Sequence, residues 1–167
     1  MPEVHDPEPV VVNTGPLLAL GACERLELLP TLYSRIVVPA LVIEELGRGK
    51  AGAPLGTAPS RPAWLEIVPL REPVTPLLVA QLDVGESAVV ALAVQEGITR
   101  ILMDERRGRL VGRLLGLQVT GSIGVLLRAK RRAILPEIRP CLEAMRKGGI
   151  WISDRLYRFA LSEAGEA

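Results

Sequence analysis

The sequence predicts an α/β fold, a three-layer sandwich in which a central parallel sheet of about five strands lies between helices on both faces. Short apolar runs rich in β-branched residues alternate with longer segments of helical character, as right-handed βαβ units require. The runs are continuously apolar, which is typical of parallel strands buried on both faces. Of the 167 residues, 49% are hydrophobic and 3% aromatic, so we expect one domain with an aliphatic core.

The pattern places five strands and eight helical segments along the chain. The predicted strands cover residues 9–12, 36–38, 65–68, 100–103 and 117–119. The predicted helices cover 16–29, with a break near Cys23, and then 39–48, 74–82, 84–96, 105–116, 122–133, 137–147 and 154–164. The Gly- and Pro-rich interval 47–62 is expected to be a flexible loop. We therefore expect a flexible arm over residues 1–8 and a single domain over residues 9–165.

Charge is almost balanced overall but uneven along the chain. The 20 basic and 19 acidic residues exclude a uniformly basic nucleic-acid-binding surface. Residues 1–99 carry six basic and twelve acidic residues, whereas residues 100–167 carry fourteen and seven. This gradient predicts an acidic pocket beside a basic surface in one fold.

The cysteines, the histidine and the chain start exclude several classes of protein. Cys23 and Cys141 form no CxxC pair, which favours buried, reduced thiols over a disulfide framework. His5 is the only histidine, so a Ser-His-Asp triad or a histidine-based zinc site is not expected. No apolar run reaches membrane-spanning length, and the acidic start does not resemble a secretory signal. We expect a cytoplasmic protein with no membrane association.

Polar residues follow the predicted strands, where ligands of open α/β sheets bind. Each has a purely local alternative: Asn13 and Thr14 precede a helix and are suited to capping it, and Asp83 and Glu86 have capping-box spacing. Asp104 is similarly placed to cap the following helix. Helical periodicity puts Glu44 on the solvated face and Glu45 at the border of the apolar face, so Glu45 is the better functional candidate.

A glycine stripe and two basic clusters occupy the second half of the chain. Gly108, Gly112 and Gly116 recur every four residues, which predicts close helix packing against a neighbour or a second subunit and is not a dinucleotide-binding pattern. The stripe and the aliphatic composition favour a homodimer. The first basic cluster is either a solvated face or a phosphate-binding surface. The second suits a helix C-terminus and is expected to be mainly structural, with phosphate contact as the alternative. The clusters are Arg106, Arg107, Arg109 and Arg113, and Arg128, Lys130, Arg131 and Arg132.

Taken together, these blocks resemble the PIN domain. They read VVVNTGPLLAL, VPALVIEELGRG, LDVGESAVVALAVQEG, ILMDERRGR and VTGSIGVLLRAKRRAILP, and a late WISDRLY segment extends the resemblance from about Val10 to Ala160. The blocks look most similar to small prokaryotic PIN-like proteins, described as predicted nucleic-acid-binding proteins and related to VapC-type toxins.

The resemblance implies a Mg²⁺- or Mn²⁺-dependent ribonuclease. It places the family's acids at Asn13, Glu45, Glu86 and Asp104 as metal ligands, with Glu45, Glu86 and Asp104 as the catalytic residues. Thr14 and Ser122 take supporting positions. The amide of Asn13 replaces the first acid, so three negative charges stand where the family has four. RNA would be the substrate, and a small antitoxin protein a partner.

The chemistry of phosphodiester cleavage explains why such acids cluster. A divalent ion activates water and stabilises charge on the phosphate, and hard cations take oxygen ligands. Arg106, Arg107 and Arg109, next to Asp104, would hold the substrate phosphates. The alternative is a catalytically weak or inactive PIN-like module that binds RNA or protein, because Asn13 supplies no charge. A metal-dependent phosphatase is less favoured, since its aspartyl nucleophile would be expected where Asn13 stands.

Overall fold

The structure, a computed structural model, describes residues 7–48 and 61–167 of the chain. The expected arm over residues 1–8 and the expected loop over residues 47–62 lie mostly outside the described residues. No helix in the described residues is long and apolar enough to cross a membrane.

A five-stranded, all-parallel sheet forms the centre of the molecule, in the order β3-β2-β1-β4-β5. Its strands are mainly apolar apart from the edge strand at residues 118–120, and the central three are almost wholly buried. They are β1 (Val10–Val12), β2 (Ile36–Pro39), β3 (Leu65–Val68), β4 (Arg100–Leu102) and β5 (Gln118–Thr120). Each predicted strand is present, and its bounds differ from the prediction by one residue at most.

Nine helices accompany the sheet in the described part of the chain, and the three-layer α/β prediction is confirmed. They are α1 (Thr14–Ala22), α2 (Leu28–Leu32), α3 (Ala40–Arg48), α4 (Pro76–Gln81), α5 (Val84–Glu96), α6 (Arg106–Leu114), α7 (Ser122–Arg131), α8 (Arg139–Lys147) and α9 (Asp154–Glu163). The expected break in the first helical segment separates α1 from α2. Just after Cys23, Glu24 adopts a left-handed backbone conformation with φ 55°, which a continuing helix does not tolerate.

The strand order creates a crevice at the centre of the sheet. From β1 the chain first adds β2 and β3 on one side and then crosses over to add β4 and β5 on the other. Ligands of open α/β sheets bind outside the carboxyl ends of the strands at such a reversal. Val12 lies opposite Leu102 in the sheet, so the residues that follow β1 and β4 face each other across this crevice.

Helix α5 is the most deeply buried helix and anchors one end of the crevice. It packs on β1, β2 and β4, and α3, α4 and α6 pack around it. Its residues are buried without interruption from Gly85 to Ala93. Helix α1 contacts α3, α7 and α8, and α7 contacts α9.

The glycine stripe of α6 packs within the chain. A Cβ on Gly108 would lie 2.0 Å from Sδ of Met103, and one on Gly112 would lie 2.9 Å from Cδ1 of Ile101. These two glycines therefore let α6 approach β4, while Gly116 has φ 81° and follows the helix. The stripe is explained by the chain's own sheet and provides no argument for a second subunit.

Cys23 and Cys141 are both buried and free, as expected. Although they are far apart in sequence, their side chains interact, because Cys23 lies just after α1, Cys141 lies in the first turn of α8, and these two helices are in contact. The side-chain hydrogen bond with Cys23 lowers the pKa of Cys141 to about 7. The same contact raises the pKa of Cys23.

Candidate functional site

Asn13 lies directly after β1 and is 5% exposed. Asn13 is the residue immediately before α1, but its side chain makes no capping hydrogen bond. Its backbone N–H donates to the carbonyl of Leu102 at 3.0 Å, whereas its buried side-chain Oδ1 has no hydrogen-bond partner within residues 7–48 and 61–167. Among the described residues no other buried side-chain nitrogen or oxygen is left without one. A buried acceptor normally has a partner, so capping does not explain this side chain.

Thr14 connects the end of β1 to α3. Its hydroxyl donates to Oε2 of Glu45 at 3.1 Å. Glu45 is half-buried and its neighbour Glu44 is exposed, which confirms the orientation that helical periodicity predicts for this pair. Glu45 thus leans over the crevice and Glu44 points away from it.

The carboxylate of Glu45 also lies against the first turn of α5. A Cβ on Gly85 would be 2.6 Å from Oε2 of Glu45, so glycine at this position leaves room for the carboxylate. The N-terminal end of a helix carries partial positive charge, which favours a carboxylate there. Glu45 therefore links Thr14 on one side of the crevice to Gly85 on the other.

Glu86 is buried, with 7% of its surface exposed, and forms the predicted capping box with Asp83. The backbone N–H of Glu86 donates to Oδ1 of Asp83 at 2.7 Å, and the backbone N–H of Asp83 donates to Oε2 of Glu86 at 3.2 Å. Burial raises the pKa of Glu86, and the negative charges of Asp83, Glu105 and Glu45 raise it further. The capping interpretation is confirmed, and the same carboxyl lies within electrostatic reach of Glu45.

Asp104 follows β4 and lies across the crevice from β1. A Cβ on Gly15 would be 3.4 Å from its Oδ2, so the carboxylate is next to the start of α1. Oδ1 accepts the backbone N–H of Ser122 at 2.7 Å, and the Ser122 hydroxyl donates to both oxygens at 3.0 and 3.1 Å. Burial raises the pKa of Asp104, while these hydrogen bonds and the charge of Arg109 oppose that rise.

The interpretation of Asp104 as the cap of the following helix is wrong. Glu105 precedes α6 and makes no side-chain capping bond there. Asp104 instead satisfies the backbone N–H of Ser122, the first residue of α7, because β4 and β5 are adjacent and bring the two segments together. This partner is eighteen positions away along the chain, so local sequence rules do not reveal it.

The three arginines expected to bind phosphate divide into two groups. Arg106 and Arg109 line a groove that also contains Asp104, and a Cβ on Gly121 would lie 2.6 Å from Nη1 of Arg109. Burial and the neighbouring Arg113 lower the pKa of Arg109, and the charge of Asp104 opposes this. Arg107 instead donates to Oε1 of Gln81 at 2.8 Å.

The second basic cluster is partly engaged in the fold. Lys130 pairs with Glu166 at 2.7 Å, and the guanidinium of Arg128 lies 5.1 Å from the centre of the Tyr33 ring. Arg128 and Arg131 nevertheless line the same groove as Asp104. The interpretation of this cluster as structural therefore holds for Lys130, while two arginines also face the groove.

A continuous series of contacts connects the candidate site residues. Asp104 lies beside Gly15, Thr14 binds Glu45, and Glu45 lies beside Gly85, the residue before Glu86. Asn13 comes immediately before this series. The described residues contain no group of three or more His, Cys, Asp or Glu side chains arranged to hold one metal ion. In this conformation the Glu86 carboxylate accepts the backbone N–H of Asp83 at the start of α5, and the Asp104 carboxylate accepts hydrogen bonds from Ser122.

Sequence reasoning missed residues that shape this site. Gly15, Gly85 and Gly121 leave space for the carboxylates and for Arg109, and their positions just after strands or at helix starts were an available signal. The negative charge of Glu105 raises the pKa of Glu86, and Glu105 also lines the groove. In the sequence, its position next to Asp104 could have indicated it.

A sequence model of the PIN domain family matches residues 9–166. The chain belongs to the PIN domain family. This confirms the resemblance carried by the five sequence blocks, and the parallel sheet agrees with it. PIN domains are a nuclease-type fold whose members generally depend on divalent metal ions. No curated protein and no solved structure was found to match the chain.

Proposed function

We propose that this PIN domain is a divalent-metal-dependent endoribonuclease that acts in the cytoplasm as the toxin of a toxin–antitoxin pair. The observation that carries the proposal is the buried Oδ1 of Asn13 at the crevice between β1 and β4, which has no hydrogen-bond partner in the part of the chain that the structure describes. Carboxylates from α3 and from the end of β4 flank the residues that follow it. An acceptor without a partner in this position is explained by a cation that it coordinates.

The donor atoms fit a hard cation such as Mg²⁺ or Mn²⁺. All are oxygens, supplied by one amide and by carboxylates, and neither histidine nor cysteine is among them. The ligands in this proposal are Asn13, Glu45, Glu86 and Asp104. Thr14 and Ser122 support the site, because they hydrogen-bond to Glu45 and Asp104 and so orient these carboxylates.

The side chains of this PIN domain have separable roles in the proposed reaction. When bound, the ion supplies Lewis acidity to the phosphate and to the attacking water. Glu86, whose pKa is raised by burial and by neighbouring acids, is suited to accept a proton from that water. Arg106 and Arg109 bind the phosphates on the groove side and offset negative charge that develops during cleavage.

The test compares the three proposed carboxylate ligands with Glu44, the neighbour of Glu45 on α3. Purified full-length protein is incubated with labelled single-stranded RNA in MnCl₂ or in EDTA. Glu45→Gln, Glu86→Gln and Asp104→Asn should each lower Mn²⁺-dependent cleavage by about a hundredfold or more. Glu44→Gln, on the exposed face of α3, should cleave as the unmodified protein does. Cleavage that survives Asp104→Asn and Glu86→Gln unchanged would contradict the proposal.

A second candidate function is an RNA- or protein-binding module that no longer cleaves. It is favoured by Asn13, which provides an oxygen but no negative charge to balance a divalent ion. Asn13→Asp distinguishes the two functions. If the unmodified protein is inactive and Asn13→Asp creates Mn²⁺-dependent cleavage, the chain is a binding module, whereas brisk cleavage by the unmodified protein excludes that function.

The toxin role has its own test. Induced expression of the unmodified chain should arrest bacterial growth, and Asp104→Asn should not. A small antitoxin segment would then be expected to relieve the arrest by covering the acidic crevice. Growth arrest that is equal for both proteins would show that the effect does not depend on the proposed site.

We also propose that the chain forms a homodimer. Leu110 and Leu114, four residues apart on α6, are 57% and 76% exposed and form an apolar face that a second copy would cover. Sedimentation should show a mass that rises from monomer to dimer with concentration. A monomer mass at every concentration would contradict this.

A further inference from the structure

The groove that contains Asp104 also contains the exposed aromatic side chains of the chain. The chain has five aromatic residues, two Trp, two Tyr and one Phe. Tyr33 is buried, and Trp64 and Tyr157 are half-buried. Trp151 and Phe159 are 86% and 56% exposed, and both line the groove, whose volume is about 920 Å³.

Such exposure is unfavourable unless something covers these rings. Each large aromatic side chain buries about 150–250 Å² when it is fully covered, so leaving it in water forgoes a large hydrophobic gain. Leu156, 41% exposed, lies one helical turn before Phe159 on α9 and extends the same apolar wall. The aromatic wall therefore has the character of a binding surface.

The charge of the groove indicates which kind of ligand would bind to the aromatic wall. Five arginines and two acidic residues line it, so the lining is positive overall although the whole chain is nearly neutral. The arginines include Arg128 and Arg131 on α7, the helix that begins beside Asp104 at Ser122. At 1.5 Å per residue, Arg131 lies about 14 Å along α7 from Ser122, which binds Asp104. A ligand that contacts both ends of this helix must therefore be longer than a single phosphate.

We infer that Trp151 and Phe159 form a base-stacking site for single-stranded RNA, in which unpaired bases lie on the rings while Arg128 and Arg131 bind the adjoining phosphates. Arginines interleaved with exposed aromatic rings are the combination that binds single strands, because every base presents a flat face that stacks. Bases of a duplex are already stacked and paired, so the site selects unpaired segments. The inference rests on the proposed function, since it assigns the part of the RNA beside the proposed cleavage site.

The experiment measures binding without cleavage. Full-length protein in EDTA is titrated with three labelled probes: a short oligouridylate, an abasic ribose-phosphate strand of equal length, and an RNA duplex. Trp151→Ala and Phe159→Ala are compared with Leu77→Ala, an exposed apolar residue on α4 that is outside the groove lining and 71% exposed. Trp151→Tyr tests whether another ring restores binding. Melting temperatures confirm that each variant folds.

Trp151→Ala should weaken binding of the oligouridylate by about tenfold and leave binding of the abasic strand within about twofold. Trp151→Tyr should restore most of the affinity, and Leu77→Ala should bind all probes as the unmodified protein does. Equal weakening of oligouridylate and abasic strand would overturn the inference. So would unchanged binding, no binding of oligouridylate by the unmodified protein, or a concentration-dependent dimer that Trp151→Ala dissociates.

Failure of the stacking site and failure of the nuclease are distinguishable. Ring-dependent binding of oligouridylate with no cleavage in MnCl₂ supports the stacking site and contradicts the nuclease. Cleavage that Asp104→Asn abolishes, together with oligouridylate binding that Trp151→Ala does not change, contradicts the stacking site alone.

Discussion

Asp104 shows how a single half-buried carboxyl links stability to pH. Burial raises its pKa above the ordinary value of 3.8. The folded protein then keeps a proton at a pH where the unfolded chain has lost it. The free energy of unfolding therefore falls as pH rises through the interval between 3.8 and the raised pKa, and that loss persists at neutral pH.

Replacing the Asp104 carboxyl with an amide should remove this pH-dependent fall in the free energy of unfolding. In EDTA, Asp104→Asn should raise the melting temperature at neutral pH, because the uncharged amide avoids the cost of a buried charge and can still accept the Ser122 N–H. Calorimetry over a pH series should show the difference shrinking as the pH falls below about 4, where the carboxyl is protonated in both states. A lower melting temperature for Asp104→Asn at neutral pH would show that the hydrogen bonds with Ser122 outweigh burial.

Gly85 controls where the Glu45 carboxylate lies. Gly85→Ala should displace Oε2 of Glu45, since the new Cβ would lie 2.6 Å from it, and should lower Mn²⁺-dependent cleavage by about tenfold or more. Stability should change by less than about 1 kcal/mol, because the displaced atom is the end of a flexible side chain and alanine favours helix. RNA cleavage and thermal unfolding measure the two effects.

Gly47→Ala is the matched control for this substitution. Gly47 lies on α3, the helix that carries Glu45, and a Cβ there would meet no atom of the described residues within 4 Å. We expect unchanged cleavage for Gly47→Ala. Equal activity of the Gly85 and Gly47 variants would mean that the position of Glu45 does not matter for the reaction.

At the scale of elements, the first turn of α5 serves both structure and chemistry. Asp83 and Glu86 cap the helix reciprocally, and Glu86 is also a candidate catalytic residue. The two roles can be separated, because a glutamine at position 86 retains an oxygen to accept the Asp83 N–H but carries no charge.

Two substitutions at this turn should separate stability from cleavage activity. Asp83→Ala should lower the free energy of unfolding by about 1 kcal/mol through loss of the cap and should leave most of the cleavage activity. Glu86→Gln should change stability less and remove the activity. Urea unfolding and Mn²⁺-dependent cleavage of the same preparations measure both effects. An equal loss of activity in the two variants would show that Glu86 acts only as a helix cap.

Over the whole molecule, the acidic and basic parts of the chain supply different parts of the proposed site. The proposed ligands Asn13, Glu45 and Glu86 come from the acidic first part of the chain, and every groove arginine comes from the basic second part. Asp104 joins the two, because β4 lies next to β1 in the sheet. The predicted acidic pocket beside a basic surface is what this groove and crevice provide.

The groove arginines should carry the salt dependence of RNA binding. Arg106→Ala and Arg109→Ala should each weaken binding of a single-stranded RNA and lower the slope of log affinity against log salt by about 0.7 per lost phosphate contact. Arg107→Ala, whose guanidinium is turned to Gln81, should change neither. Fluorescence titrations over a salt series measure the slopes, and an equal reduction by Arg107→Ala would place the RNA on another face of α6.

Local pattern was sufficient for the elements and for the side on which Glu45 lies. The strands β1 to β4 were predictable because each is a short, mainly apolar run between helical segments, and β5 because it is a short segment between two helical ones. Glu45 could be separated from Glu44 by periodicity. The capping box at Asp83 and Glu86 was predictable because both partners lie within one turn. The role of Asp104 was not, because its partner Ser122 follows a different strand.

From the amino-acid order alone follow an α/β domain, its elements and the residues at its strand ends, since these depend on periodicity and propensity over a few neighbouring positions. Only the tertiary structure decided that β4 returns to the far side of β1, that Gly108 and Gly112 pack on the sheet, and that Trp151 and Phe159 share a groove with Asp104. These outcomes depend on which distant segments pack together, and the hydrophobic pattern that drives burial does not specify the partner of each buried surface.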